Sequence, residues 1–200
     1  MKVSLSSTGR VTSPITLEEI KDHLQIERGE TGSDEVLKGL RAASVEMAQN
    51  ITGRKLMSQK WDVYFDDWPA GTEIELPFSP LVSVAATGIT YKGSTSNTMT
   101  LGSTSWAVDT VSEPPRIVLD NTVNSWPTDE LHYNNPIRIV GTYGYSASSD
   151  VPRSIKHAML LMIGHWYENR EETITGVGLS MQEIPLGAQS LLEMYRTKWF

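Results

Sequence analysis

Residues 51–69 read ITGRKLMSQKWDVYFDDWP, and within them the hydrophobic period changes from that of a helix to that of a strand. Before Gly53 the apolar residues recur at helical spacing, and Gly53 suits a helix exit. From Trp61 the period is two: Trp61, Val63 and Phe65 face one way, Asp62, Tyr64 and Asp66 the other. That alternation predicts a half-buried strand. Asp66-Asp67 and Trp68-Pro69 then mark a turn.

Upstream, the pattern is helical. Thr16 with Glu19 three residues later has the capping-box form, opening a short helix to about Leu24 with Leu17, Ile20 and Leu24 on one face. Gly29 and Gly32 break the chain, and Ser33 or Asp34 caps a second helix. Leu37, Leu40, Ser44, Met47 and Ile51 form its core-facing stripe. Asp34 and Glu35 at its start and Arg54 and Lys55 beyond its end complement the helix dipole. Gly39, inside it, predicts close packing, since glycine costs about 1 kcal/mol against alanine there.

Downstream, Ile74 to Leu76, Val82 to Tyr91, Thr98 to Leu101, Trp106 to Asp109, Arg116 to Leu119 and Ile137 to Tyr143 are strand candidates. Breaks rich in Pro, Gly, Asn and Ser separate them. Short strands at this spacing predict an antiparallel sheet. Helical spacing returns after Pro152, with Ile155, Met159, Met162, Ile163 and Trp166 as a stripe that Leu160 and Leu161 widen. A helix this apolar predicts cover on more than one side. Residues 171–184 read as a mobile loop, and Pro185 opens a terminal helix with Leu186, Leu191, Leu192 and Tyr195, ahead of Trp199-Phe200. Neither helical flank can bury its stripes alone. The predicted fold class is therefore α+β: a helical bundle formed by residues 1–59 and 146–200, with an antiparallel β subdomain, residues 60–145, inserted between them.

Composition narrows the function. The chain has no cysteine, which removes disulfides, thiolate metal sites and a cysteine nucleophile. No apolar run reaches the length of a transmembrane helix, and the polar start lacks a signal-peptide core, so no membrane partner is expected. A net charge of −7 without a basic cluster argues against gripping nucleic acid, whose affinity comes from Lys and Arg on phosphates.

Candidate chemistry is sparse. His165 and Glu168 share a helix face at i, i+3, but His157 lies about 12 Å along the helix, too far to share an ion. Asp66 and Asp67 are neighbours on a strand and point to opposite faces; Asp62, Asp66 and Glu75 suit a solvated face. Gly176-Val177-Gly178 lacks the Lys-Ser/Thr of a phosphate loop. His23 and His132 stand alone. Trp68-Pro69 and Trp126-Pro127 recur, but a dipeptide is too short to be a repeat. No catalytic residue, metal site or cofactor is expected. Trp199 and Phe200 either fold back on the bundle or dock into a neighbour.

Three segments carry a resemblance: ITGRKLMSQKWDVYFDDWP (Ile51 to Pro69), VPRSIKHAMLLMIGHWYENRE (Val151 to Glu171) and IPLGAQSLLEMYRTKWF (Ile184 to Phe200). In order and spacing the chain resembles the head–tail connector (adaptor, head-completion) proteins of long-tailed bacteriophages, prophages and gene transfer agents. GHWYENRE (Gly164 to Glu171) is its most specific segment. The resemblance implies a virion structural protein of the neck, made in the bacterial host cytoplasm, and not an enzyme. It implies a ring, dodecameric, that docks on the portal protein, extends the DNA channel and offers a platform to the stopper or next tail protein. DNA would pass without specific binding, which suits the acidic balance. The terminal segment would engage the portal, placing Leu191, Leu192, Tyr195, Trp199 and Phe200 at that interface. Two other readings stay open: another neck component such as a stopper or tail-end protein, or a β-domain binding module or hydrolase using His165, Glu168 or the middle carboxylates.

Overall fold

The computed structural model describes residues 1–6, 12–123, 125–169 and 184–197. Its elements in chain order are β1 (Lys2–Leu5), α1 (Leu17–His23), α2 (Asp34–Thr52), β2 (Gln59–Phe65), β3 (Glu73–Glu75), β4 (Leu81–Lys92), β5 (Thr98–Thr100), β6 (Trp106–Asp109), β7 (Arg116–Leu119), β8 (Ile137–Tyr143), α3 (Arg153–Glu168) and α4 (Leu186–Glu193). The fold is α+β, as expected. It forms two compact units, each taken over its described residues. One is Met1–Val11, Ser58–Tyr145 and Thr197–Phe200; the other is Thr12–Met57 and Ser146–Arg196. The loop expected at residues 171–184, with its Gly176-Val177-Gly178, lies outside the described residues except for Ile184.

In the helical unit, both flanks of the chain build one body around α3. This helix buries Ile155, Ala158, Met159, Met162 and Ile163 and packs on α1, α2 and α4. Pro152 is its cap residue. The capping box of α1 is present: Glu19 N donates to Thr16 Oγ1 at 3.1 Å and Thr16 N to Glu19 Oε2 at 2.7 Å. Ile15 and Ile20, the positions of a hydrophobic staple, are fully buried. Lys156 Nζ on α3 meets Glu19 Oε1 at 2.8 Å, so α1 is tied to α3 through the same carboxylate. Burial opposes ionisation of Glu19, but the bonds from Lys156 and Thr16 outweigh it and lower its pKa.

The seam of α2 is Leu37, Ser44, Ala48 and Thr52. Of the predicted stripe, Leu40, Met47 and Ile51 are half-buried. The polar members satisfy themselves on the helix: Ser44 Oγ donates to the Arg41 carbonyl at 2.8 Å and Thr52 Oγ1 to the Ala48 carbonyl at 2.7 Å. Gly53 ends the helix in the left-handed region at φ 69°. The close packing expected at Gly39 is not found; Gly39 is exposed and an added Cβ would meet nothing within 4 Å. It sits on the solvent face, so its helical cost is uncompensated by contact.

Lys21 holds α1 to the start of α2. Its side chain is 4% exposed and its Nζ meets Asp34 Oδ1 at 2.6 Å. It also donates to the carbonyls of Arg28 and Glu30, so the ammonium is caged by one carboxylate and two backbone oxygens. The turn containing Gly29 and Gly32 is thus organised around a buried charge that periodicity does not reveal.

The β unit contains a five-stranded sheet, order β1-β2-β8-β4-β5, and a three-stranded sheet, order β3-β7-β6, with every pairing antiparallel. β1 is an addition to the sequence reading: Lys2–Leu5 pairs with β2 instead of joining the helices. On the inner face of the large sheet one row runs Val3, Val63, Ile139, Ile89 and the next Leu5, Trp61, Gly141, Val84. Val63, Ile139 and Ile89 lie in a core shared with Ile74, Ile117 and Trp106 of the small sheet. β4 is irregular, with register shifts between Leu81 and Ser83 and between Val84 and Ile89. Gly88 serves that bulge, because a Cβ there would fall 2.8 Å from the Ala85 carbonyl oxygen. Ser58 N donates to the Tyr145 carbonyl at 3.0 Å, joining the two ends of Ser58–Tyr145.

Two stability predictions follow from these contacts. A Cβ on Gly141 would lie 2.7–2.8 Å from the ring of fully buried Tyr143. Gly141→Ala is expected to cost about 2 kcal/mol, as overpacking does, read as a lower urea midpoint. Asp34→Ala leaves the Lys21 ammonium buried with only carbonyls. It is expected to cost about 3 kcal/mol, while Lys38→Ala, whose pair with Glu35 is exposed, should leave the urea midpoint unchanged.

Candidate functional site

Of the predicted partner residues, Leu191, Leu192 and Tyr195 belong to the helical unit. α4 packs against α3 and α2. Ala188 and Leu192, four residues apart, are fully buried and pin the helix. Leu192 therefore has no surface to offer a partner in this arrangement, contrary to its expected interface role. Leu191 and Tyr195 are half-buried. Trp199 and Phe200 lie outside the described residues. The large apolar side chains that α4 and its exit display are Leu186, 83% exposed, and Met194, 75% exposed. The sequence pattern marks neither as a contact and places Leu186 only in the helix stripe.

Beside them runs a groove of about 560 Å³ lined by Asn50, Ile51, Ile184, Leu186, Gln189, Glu193 and Arg196. Apolar side chains come from both α2 and α4, and Glu193 and Arg196 supply one charge of each sign. Gln189 Nε2 donates to Glu193 Oε1 at 2.9 Å, orienting the carboxylate. Arg54, expected to serve its own helix, reaches across: its Nε donates to the Tyr195 carbonyl at 2.7 Å. A cation thus sits at the carbonyl end of α4, where the helix dipole favours it.

The β unit has a second concavity, about 610 Å³, lined by two loops that each carry a Trp-Pro dipeptide. Trp68 and Trp126 stack with ring centres 5.0 Å apart and planes at 3°. Tyr91 packs edge-on to Trp68 at 5.7 Å. Trp126 Nε1 donates to the Gly71 carbonyl at 2.7 Å, and the Tyr91 hydroxyl to Asp129 Oδ2 at 3.2 Å. Burial first, and the Asp129 carboxylate second, raise the Tyr91 pKa. The recurrence of Trp-Pro is thus a packing device that joins two loops.

The chemistry-bearing candidates do not converge. Asp67 Oδ1 accepts from Trp68 N at 2.8 Å, and Asp66 faces Lys2 at 3.9 Å, the pattern of a turn. Asp62, expected on a solvated face, is buried and bonded to Arg138 Nη2 at 2.9 Å. His165 meets Asn169 at the end of α3 instead of pairing with Glu168. His23, expected to stand alone, lies edge-on to His157 with ring centres 6.4 Å apart. His132 packs on Tyr133 at 4.3 Å. Among the described residues no group of three or more His, Asp or Glu side chains could hold a metal ion, and no helix is long and apolar enough to cross a membrane.

Residues 124–196 match the family described as Phage gp6-like head-tail connector protein. The match spans α3 and α4, and it bears out the resemblance that the sequence carries. The whole fold is similar to a chain in the neck of an empty gene transfer agent particle computed with C6 symmetry, at a TM-score of 0.77 and 20% identity. A chain in the virion of a native gene transfer agent particle gives 0.78 and 20%, and one in the neck of a native particle computed with C12 symmetry gives 0.74 and 19%. Each alignment covers 100% of this chain and 97% of the other. No curated protein matches.

Arg54→Ala is expected to free the end of α4. It should cost about 1.5–3 kcal/mol, the range for a hydrogen bond with a charged partner. Amide exchange should rise in α4 more than in α2.

Proposed function

We propose that this chain is a structural subunit of a phage-type virion neck, a head–tail connector that forms a ring and docks on the portal. The observation that carries the reading is the end-to-end similarity of both units, helical body and β insertion together, to chains of gene transfer agent necks. The connector-family match over residues 124–196 supports it independently. In this reading the ring extends the DNA channel and presents a platform to a stopper or other tail protein. It holds neighbours together and performs no reaction.

The geometry suits that role. A contact helix must be presented rigidly, and α4 is pinned by Ala188, Leu192 and the Arg54 bond. Leu186 and Met194, with half-buried Leu191 and Tyr195, then form the portal-facing surface; Trp199 and Phe200 are further proposed portal contacts. Leu192 acts beneath it as a support. A net charge of −7 lets DNA pass without the phosphate affinity a basic lining creates.

Electron microscopy of the purified chain, alone and with its portal, tests this reading. Rings in either setting are expected; a chain that stays monomeric in both and does not bind the portal overturns it. Leu186→Asp with Met194→Asp is expected to weaken portal attachment by about 2 kcal/mol, roughly thirty-fold in Kd, with the melting temperature unchanged. Removal of Trp199 and Phe200 should act the same way, while Asp66→Asn in the β-unit cleft should not.

A further inference from the structure

Among the described residues the five-stranded sheet ends in two unpaired edges. Among the described residues no strand covers the outer side of β1 or of β5. Ser6 N donates to the Lys60 carbonyl at 3.0 Å. Antiparallel alternation then turns the backbone groups of Ser4 and Lys2 toward β2, and those of Val3 and Leu5 outward. The same two residues point their side chains to the inner, apolar face, yet are 42% and 48% exposed. Proline, a bulge or a free charge would blunt such an edge; β1 has none of them. Its one charge, Lys2, is engaged within its own copy by Asn135 at 2.8 Å and Asp66 at 3.9 Å.

At the other edge, Gly93 N donates to the Asn97 carbonyl at 3.1 Å and Leu101 N to the Ile89 carbonyl at 2.9 Å. Met99, midway between, turns its backbone to β4, so Thr98 and Thr100 present theirs outward. Met99 and Leu101 pack on the core of the unit. Five strands, each antiparallel to the next, give the two edges the same direction. An edge from a second copy, added with the sheet facing the same way, would therefore lie parallel.

We infer that copies of this chain join by sheet continuation, the β1 edge of one copy pairing in parallel with the β5 edge of the next; this rests on the ring reading above. With Val3 opposite Met99, Val3 N donates to the Thr98 carbonyl, Thr100 N to the Val3 carbonyl, and Leu5 N to the Thr100 carbonyl. That is the alternation a parallel ladder requires. Val3 and Leu5 are then covered by Met99 and Leu101, and Ser4 and Thr100 lie together on the outer face. The two edges are unlike surfaces at opposite ends of one sheet, and a closed ring needs such a head-to-tail pair.

The chain has no cysteine, so Ser4→Cys with Thr100→Cys gives a clean cross-linking test. Within one copy the two positions are about 19 Å apart, four strand spacings, beyond a short bis-maleimide. Under ring-forming conditions the double variant is expected to give a ladder of covalent oligomers past the dimer, and neither single variant any product. Dimers from Ser4→Cys alone would mean that β1 pairs with itself, which overturns the inference. Rings in micrographs without a ladder overturn the joint and leave the ring reading standing; no assembly at any concentration overturns both. Val3→Pro removes an outward N–H without touching the β2 pairing. It should lower the ring fraction at least tenfold with an unchanged melting curve, and an unchanged ring fraction counts against the joint.

Discussion

The structure depends on covering α3. Its apolar residues spread over so much of its circumference that one neighbour cannot shield them, and α1, α2 and α4 each take a side. Two of those helices precede it in the chain, beyond the whole stretch Ser58–Tyr145, and the third follows it. The burial of one helix thus brings both helical flanks into one body and makes Ser58–Tyr145, the bulk of the β unit, an insertion. The polar contacts refine this arrangement: Lys156 with Glu19 and Arg54 with the Tyr195 carbonyl each tie one covering helix in place.

What was legible in the sequence was whatever follows a period. Trp106–Asp109, Arg116–Leu119 and Ile137–Tyr143 lie where alternation puts them, because each has one face on the core. Thr16 and Glu19 announced their capping box, and Gly53 its left-handed exit. β1 was missed because Lys2-Val3-Ser4-Leu5 alternates over only four residues, at the lower limit of a readable period. The interruption within β4 was missed because Gly88 signals a bulge only once its distant neighbour Val140 is known. Gly39 misled, since a helical glycine has the same letter whether it faces a partner or water.

The candidate site was less legible, for a related reason. Stripe logic marks Leu191, Leu192 and Tyr195 alike, but only burial tells an internal support such as Leu192 from a displayed side chain such as Met194. Long-range polar contacts leave no local signature. The bonds of Lys21 to Asp34 and of Asp62 to Arg138 join residues whose spacing in the chain carries no period. The paired Trp-Pro dipeptides were visible as a coincidence; their 5.0 Å stacking gives the coincidence its cause.

The hydrogen bond between Ser58 and Tyr145 bears on how the chain assembles. Left as coil, the stretch from Ser58 to Tyr145 would charge α2 and α3 about 4 kcal/mol of entropy to bring their ends together. Once the β unit has folded, entry and exit leave it side by side, and the bundle meets the insertion as a short tether. During synthesis the insertion emerges before α3 and α4, so it can fold first and hold α2 ready for the helices still to come. Growth or loss of strands within it would leave the helices undisturbed, provided the two ends stay bonded.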